Sequence, residues 1–395
     1  MNITLPASIQ CALARLNDAG YEAYVVGGCV RDSLMGKAPA DWDVTTSALP
    51  TDIMRVFSDF RTIATGLQHG TVTVIIDNTP LEITTYRVDG LYADGRHPDS
   101  VTFTTQLDED LKRRDFTINA MAYHQDRGLI DPFNGQMDLQ AKTIRCVGTP
   151  IQRFTEDALR ILRALRFSAV LGFNIEATTA DAIHCLAPSL SCVSIERITS
   201  EFKRLICGKN ADTILDDFED VIAVFLPEIC GHNDSFKLAD LPALPRTRIA
   251  SLFYRANVSA ESATMILRRL RFDIQTIRDI QRLLSFSPNA RYTGDAYLLR
   301  LLNHMGAELI FDYFSITRAT GTAIRRTREL LDTHACYSAS MLAINGDDLL
   351  SIGVPPGPAV GKMLHRALYA VMDRQCPNER TALIKYIEET KKPVL

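Results

Sequence analysis

GGCVRDSLMGKAPADWDVTT, residues 27–46, is the stretch on which the reading of this chain turns. An apolar run meets Gly27 and Gly28, and a helical pattern opens at Val30 and runs to Gly36. The turn between them leaves free backbone N–H groups that can face a triphosphate. A second strand is expected over Trp42–Thr45. Residues two apart on a strand point to one face, so Asp41 and Asp43 project together. Two hard oxygen ligands side by side suit Mg²⁺, which takes one or two carboxylates plus substrate phosphates. Alone, an Asp-x-Asp is usually a solvated strand end and a glycine pair a tight turn; here the first follows the second.

Outward from this stretch, short β-branched runs alternate with helical patterns up to residue 145, and nearly everything after Ile151 reads as helix. Further strands are expected at Ala23–Gly27, Thr62–Thr65, Thr71–Ile76 and Glu82–Tyr86, and helices at Pro6–Ala19, Pro50–Ser58 and Asp115–Tyr123. This is an α/β head with a mixed sheet. Glu82 and Thr84 fall on the strand face opposite Leu81 and Ile83. Glu82 would supply a third acid, although alone it reads as an ordinary exposed strand residue. Val88–Ser100 holds two glycines and a proline without periodicity and reads as a loop carrying Asp89, Asp94, Arg96 and His97.

Two more segments carry chemistry. In RRDFTINA (113–120), Asp115 reads as a helix N-cap with Asn119 on the same face and an arginine pair, Arg113 and Arg114, just before it. The functional reading is a polar shelf for ribose and phosphates; a capped helix with a basic lead-in explains the residues equally well. In FTEDALRILRALRF (154–167), a helix over Glu156–Leu171 would be capped by Thr155. Asp157, Arg160 and Arg163 would share a face, and Asp157 with Arg160 would form a surface ion pair. Such a pair also offers an acceptor beside a donor. Cytosine and adenine present donor then acceptor, whereas guanine and uracil present the reverse, leaving buried polar groups unpaired at ~1–3 kcal/mol each. One Asp/Arg pair would then accept C and A and reject G and U.

Composition narrows the class. At 395 residues, 46% hydrophobic and 23% charged, the chain suits a soluble protein of several domains. A net charge of −4 and a pI near 6.1 exclude a global positive field, so contacts to nucleic acid must be local. Nine scattered cysteines show no Cys-x-x-Cys pair or zinc spacing and read as reduced core residues of a cytoplasmic protein. No secretory start and no apolar run of spanning length occur, so secretion and membrane insertion are not expected. Helical segments are expected around 212–226, 247–286, 294–316 and 320–335, with a last unit running from Asn345-Gly346 through Tyr386. Arg268, Arg269, Arg271, Arg278, Arg282, Arg318, Arg325, Arg326 and Arg328 are candidates for phosphate contacts there, although most charged helix faces are merely solvated.

Five segments in order, GGCVRD (27–32), DWD (41–43), RRDFTINA (113–120), EDALRILRALRF (156–167) and SIERITSEFKRLI (194–206), resemble the class II tRNA nucleotidyltransferases, the CCA-adding enzymes and bacterial poly(A) polymerases. NGDDLLSIGVPPGPAVGKML (345–364) resembles the tail of the compact bacterial CCA-adding enzymes. The resemblance implies a polymerase-β-like nucleotidyltransferase head (1–149), then an all-α neck (150–210), body (211–335) and tail (336–395). Asp41 and Asp43 would bind metal, with Glu82 the third catalytic acid. Gly27, Gly28 and Arg31 would meet the triphosphate, and Arg114, Asp115 and Asn119 the sugar. Glu156, Asp157 and Arg160 match the base-reading motif, with Arg163 beside them. The implied activity is template-independent addition of CCA to tRNA from CTP and ATP, with Mg²⁺ and release of pyrophosphate. An A-adding enzyme, a poly(A) polymerase or a non-catalytic RNA-binding protein stand as alternatives. The intact loop at 88–100 favours full CCA addition. Oligomeric state is left open.

Overall fold

The structure, a computed structural model, describes residues 2–90, 101–231, 237–286 and 294–391, to which all counts refer. It divides into two compact units, Met1–Cys230 and Gly231–Leu395.

The first unit opens with α1 (Ala7–Asp18), β1 (Ala23–Val26), α2 (Gly28–Leu34), β2 (Asp43–Thr46), α3 (Pro50–Val56), β3 (Arg61–Gly66), β4 (Thr71–Ile76), β5 (Thr79–Thr85), β6 (Arg87–Asp89), β7 (Val101–Phe103) and α4 (Leu107–Lys112). It continues through β8 (Ala122–His124), β9 (Gly128–Ile130), α5 (Gly135–Gln140), β10 (Thr143–Ile144), α6 (Pro150–Glu156), α7 (Leu159–Leu171), β11 (Asn174–Ile175), α8 (Ala177–Leu186), α9 (Ile195–Ile206), α10 (Ala211–Asp217) and α11 (Glu219–Ala223). Seven strands form one mixed sheet in the order β3-β4-β5-β2-β1-β8-β9. Every neighbouring pair is antiparallel except β2 and β5, which run parallel with Asp43 level with Glu82 and Thr45 level with Thr84. Alternation then sorts the two faces. Val44, Leu81 and Ile83 are buried, and α3 packs on β4 and β5. On the α4 side, Tyr24 and Val26 of β1 pack with Leu107, Leu111 and Tyr86. Asp43, Thr45, Glu82 and Thr84 share this side with α4, because Thr45 hydrogen-bonds Asp110 of that helix.

The mixed-sheet head and the helical remainder follow the sequence reading; two elements do not. The helix expected over Asp115–Tyr123 is a 3₁₀ turn at Thr117–Asn119 followed by β8. Residues 115–124 are buried throughout, so no polar face marks a helix, and Ala122 and Tyr123 pair with β1 instead. Nor is Glu156–Leu171 one helix. Asp157 is extended (φ −148°, ψ 102°), so α6 ends at Glu156 and α7 begins at Leu159. The Asp157 carboxylate accepts the Leu159 N–H at 3.0 Å, a local bond that competes with helix continuation. Thr155 therefore lies inside α6, bonded to the Ile151 carbonyl, and caps nothing. Amphipathic α9 buries Ile198, Phe202, Leu205 and Ile206 and packs on α7, while α10 joins both. Of the loop expected over 88–100, residues 91–100 lie outside the described residues, including Asp94, Arg96 and His97; its base is the β6–β7 ribbon.

The second unit is helical: α12 (Pro245–Arg255), α13 (Ala260–Arg269), α14 (Ile274–Ser285), α15 (Gly294–Thr317), α16 (Gly321–Asp332), α17 (Gly346–Ser351), α18 (Pro358–Met372) and α19 (Arg380–Lys391). Side-chain caps start several of them: Ser259 for α13, Asp273 for α14, Thr320 for α16 and an Asn345–Asp348 capping box for α17. The expected segment 247–286 is three helices, and 294–316 is interrupted at Gly306, whose φ of 72° suits glycine. No described helix is long and apolar enough to cross a membrane.

Candidate active site

The turn from β1 into α2 places Gly27 at φ 83°, a conformation that disfavours any side chain. Space excludes one too, since a Cβ there would sit 3.0 Å from Nη1 of Arg114. The Gly27 N–H is spent on the Met121 carbonyl at 3.1 Å. Gly28 begins α2, and Arg31 on that helix is buried (8% exposed). Its guanidinium bonds Asp32 at 2.8 Å and donates to Oδ1 of Asn119 at 2.6 Å.

Asp41 precedes β2 and Asp43 is its first residue; both are solvent-accessible, as is Glu82 across the parallel ladder. The Asp43 carboxyl is pushed above its ordinary range. Loss of water around it is the largest cause, opposed by the positive charge of Arg114 and reinforced by the negative charges of Glu82 and Asp41. Asp43 is thus close enough to feel both acids, and the crowding of like charge is what a divalent cation would relieve. Among the described residues no group of three His, Cys, Asp or Glu side chains closes into a metal cage by itself. Mg²⁺ takes one or two carboxylates and completes its shell with phosphate oxygens. The donor set fits such an ion. Cys29, on α2 beside Asp43, is buried, and burial pushes its thiol up.

A polar chain links this part of the sheet to the helices beyond it. Asn119 Nδ2 donates to Oδ1 of Asp115 at 3.2 Å, and Arg163 of α7 clamps the other Asp115 oxygen at 2.6 Å. Burial alone would raise the Asp115 carboxyl, but the Arg163 charge and its hydrogen bond, together with Asn119, hold it at about 2. Asp115 and Asn119 are thus adjacent as expected, though Asn119 ends a 3₁₀ turn and Asp115 precedes it rather than capping a helix. Arg160 is bound by Glu156 at 2.6 Å and reaches the carbonyls of Arg153 and Arg113. Asp157 is bound by Arg197 of α9 at 2.7 Å. The expected Asp157–Arg160 ion pair is therefore not formed: each has a different partner, because the chain breaks from helix between them. Arg163 and Arg166 both lie over the Phe167 ring, and Arg166 bonds Glu201 of α9 at 2.6 Å.

Sequence reading gave no role to Arg153, Arg197, Glu201 or Asp110. The signal for Asp110 was present in its spacing, three and four residues before Arg113 and Arg114. Nothing local could have paired Arg197 with Asp157, 40 residues apart.

Three family models match along the chain: the poly A polymerase head domain over residues 23–145, the probable RNA- and SrmB-binding site of polymerase A over 172–230, and the putative tRNA nucleotidyltransferase domain 2 over 246–387. The CCA-adding enzyme of Leuconostoc mesenteroides is 38% identical over 395 residues, covering 96% of this chain and 95% of its own. This chain belongs to the CCA-adding enzyme family. The CCA-adding enzyme of Lacticaseibacillus paracasei is likewise 38% identical, over 95% of this chain and 94% of its own. The crystal structure of the Bacillus stearothermophilus CCA-adding enzyme in complex with CTP matches with a TM-score of 0.84 at 32% identity, over 98% of each chain. The enzymes of this family are tRNA nucleotidyltransferases, and nucleotidyltransferases of this kind work with divalent metal ions.

The Asp115–Arg163 clamp yields a pH prediction. A carboxyl at about 2 when folded and ~3.9 when unfolded contributes on the order of 2.5 kcal/mol. Because the folded value is depressed, that contribution is complete above pH ~4 and disappears as pH falls toward ~2. In urea unfolding, Asp115→Asn should therefore cost the first unit on the order of 2.5 kcal/mol near neutrality, and the gap to the parent should close across that window. A gap that stays constant with pH would refute the assignment.

Proposed function

We propose that this chain adds C, C and A stepwise to the 3′ end of tRNA, taking CTP and ATP and releasing pyrophosphate without a nucleic-acid template. The observation that carries the reading is the crowding of Asp41, Asp43 and Glu82 on the central strands of the sheet, beside the Gly27 turn and Arg114. Asp41 and Asp43 would hold Mg²⁺, with Glu82 the third acid beside them. When bound, Mg²⁺ supplies positive charge to the attacking hydroxyl and to the departing pyrophosphate. The protein contributes position: Gly27 and Gly28 let the triphosphate approach the backbone, Arg31 and Arg114 face its charge, and Asp115 and Asn119 form the shelf for the sugar. The enzyme acts in the cytoplasm.

Base choice falls to Asp157 and Arg160. Arg197 holds one oxygen of Asp157, and Glu156 with the Arg153 and Arg113 carbonyls fixes Arg160. Held in this way, the Asp157 carboxylate presents an acceptor and the Arg160 guanidinium a donor type suited to the pairing edge of C or A. The head comprises 1–149 and the neck begins at 150; α10 packs on α7 and α9, which favours counting 211–223 with the neck and starting the body beyond Cys230.

The candidate arginines of the body are not equivalent. Arg326 is tied to Asp295 and Glu329, and Arg282 to the His304 carbonyl. Arg268 and Arg278 instead line a hollow of about 730 Å³ with Arg271, Phe272 and Ile274, and neither has an ion-pair partner among the described residues. These two are the proposed phosphate contacts to tRNA.

Asp43→Ala should abolish incorporation while leaving helical circular dichroism unchanged; normal turnover in Mg²⁺ would sink the catalytic assignment. With the parent protein and a tRNA trimmed to its discriminator base, offered one nucleotide at a time, C must be incorporated before A. Incorporation of A alone would make it an A-adding enzyme. Asp157→Ala or Arg160→Ala should erode discrimination against G and U by ~1–3 kcal/mol, roughly 5- to 150-fold, with little change in metal requirement. Undiminished preference for C and A would refute the pairing-edge role. Arg268→Ala should weaken tRNA binding and reduce its salt dependence by about one released counterion; an unchanged salt slope in filter binding would remove Arg268 from the RNA surface.

A further inference from the structure

Asp110, on α4, is fully buried, with 0% exposure, and four groups converge on its carboxylate. Arg113 binds Oδ1 through Nε at 2.9 Å and Nη2 at 2.8 Å, and the backbone N–H of Arg87, at the base of the β6–β7 ribbon, reaches the same oxygen at 3.4 Å. Thr45 of β2, two residues beyond Asp43, donates to Oδ2 at 3.2 Å, and Arg114 Nη2 reaches Oδ2 at 3.5 Å. Burial alone would raise this carboxyl, yet the two arginines hold it below its ordinary range, so it is charged at neutral pH. An ionised group this deep is costly unless it is fully paired, and removing it leaves its partners' charge to find another acceptor.

The alternative acceptor is on the page. Arg114 lies between two carboxylates: it touches Asp110, and its charge acts on Asp43. Its Nη1 faces Gly27, which has no side chain to fix it, and its Nε has no hydrogen-bond partner among the described residues. Among the described residues Asp110 is the acid whose carboxylate the Arg114 guanidinium reaches. We propose that Asp110 is a positioning residue that retains Arg114 on the α4 side, leaving Asp43 open to a divalent cation. This rests on the reading of Asp41 and Asp43 as the metal pair. Asp110 touches neither nucleotide nor metal; it acts through Arg114. Its hold on Thr45 and on the Arg87 amide sets β2 and the ribbon base in the same register, so one carboxylate fixes the arginine and the strand it must not occupy.

The test uses the full-length chain and Mn²⁺ alone, with binding read from loss of the free-ion EPR signal, so that metal affinity is measured without turnover. Asp110→Asn keeps shape and an acceptor oxygen but removes the charge. It should weaken Mn²⁺ binding about tenfold, the scale on which a nearby guanidinium shifts a carboxylate. The Mg²⁺ midpoint for CTP incorporation should rise with it, while kcat at saturating Mg²⁺ changes much less. In the double variant Asp110→Asn/Arg114→Gln, Mn²⁺ binding should return to at least the parent level, a recovery that a merely structural role for Asp110 would not produce. Asp43→Asn serves as the control. If it leaves Mn²⁺ binding unchanged, the metal-pair reading itself falls. If it weakens binding while Asp110→Asn does not, or if the double variant stays as weak as Asp110→Asn, the positioning role alone is overturned. Should Asp110→Asn fail to fold, Arg114→Gln decides: relieved of the competing charge it should bind Mn²⁺ more tightly, and unchanged or weaker binding overturns the proposal.

Discussion

Parallel pairing of β2 with β5 sets Asp43 level with Glu82, and the rest of the first unit is arranged around the repulsion this creates. An antiparallel meander would have let neighbouring strands follow in sequence, whereas a parallel pair needs a long connection, here supplied by α3, β3 and β4. That detour brings a second acid beside the first from 39 positions away. Left to itself such a cluster costs stability, which marks it as a place where a fold gives up something for function. Around it the arginines are distributed rather than massed. Arg31 answers to Asp32 and Asn119, Arg163 to Asp115, and Arg113 and Arg114 to Asp110. With a net charge of −4 the chain has no general attraction for polyanions, so positive charge is held at fixed points by buried carboxylates.

The chain of contacts from Arg31 through Asn119 and Asp115 to Arg163 spans α2, the 3₁₀ turn and α7. Each link is a charge-assisted hydrogen bond in poorly hydrated surroundings, where pairing is strong and a missing partner is expensive. It ties the sheet that carries the acids to the helix that carries Arg160, so their separation is set by side-chain geometry as well as by the backbone.

Much of this was legible in the residues. The strands expected at 23–27, 42–45, 71–76 and 82–86 are found at 23–26, 43–46, 71–76 and 79–85, and the turn at Gly27 announced itself through its glycine pair. What failed was local pattern under full burial. Residues 115–124 have no exposed face, so a capped helix and a tight turn feeding a strand read alike. The partners of the site residues were also hidden. Asp157 with Arg197 and Asp115 with Arg163 join residues 40 and 48 apart, and single-sequence reasoning sees charge spacing only within a few turns of helix. It therefore paired Asp157 with its neighbour Arg160, the nearest opposite charge in the chain.

The extended backbone at Asp157 has a consequence of its own. In an unbroken helix an acid and a guanidinium three positions apart neutralise one another. Interrupting the helix at this one residue denies them that mutual quenching: the acid is turned toward α9 and the base toward α6. Two opposite charges three positions apart are thereby bound to two different helices, and a single pair of backbone torsions, rather than an added side chain, decides that partition.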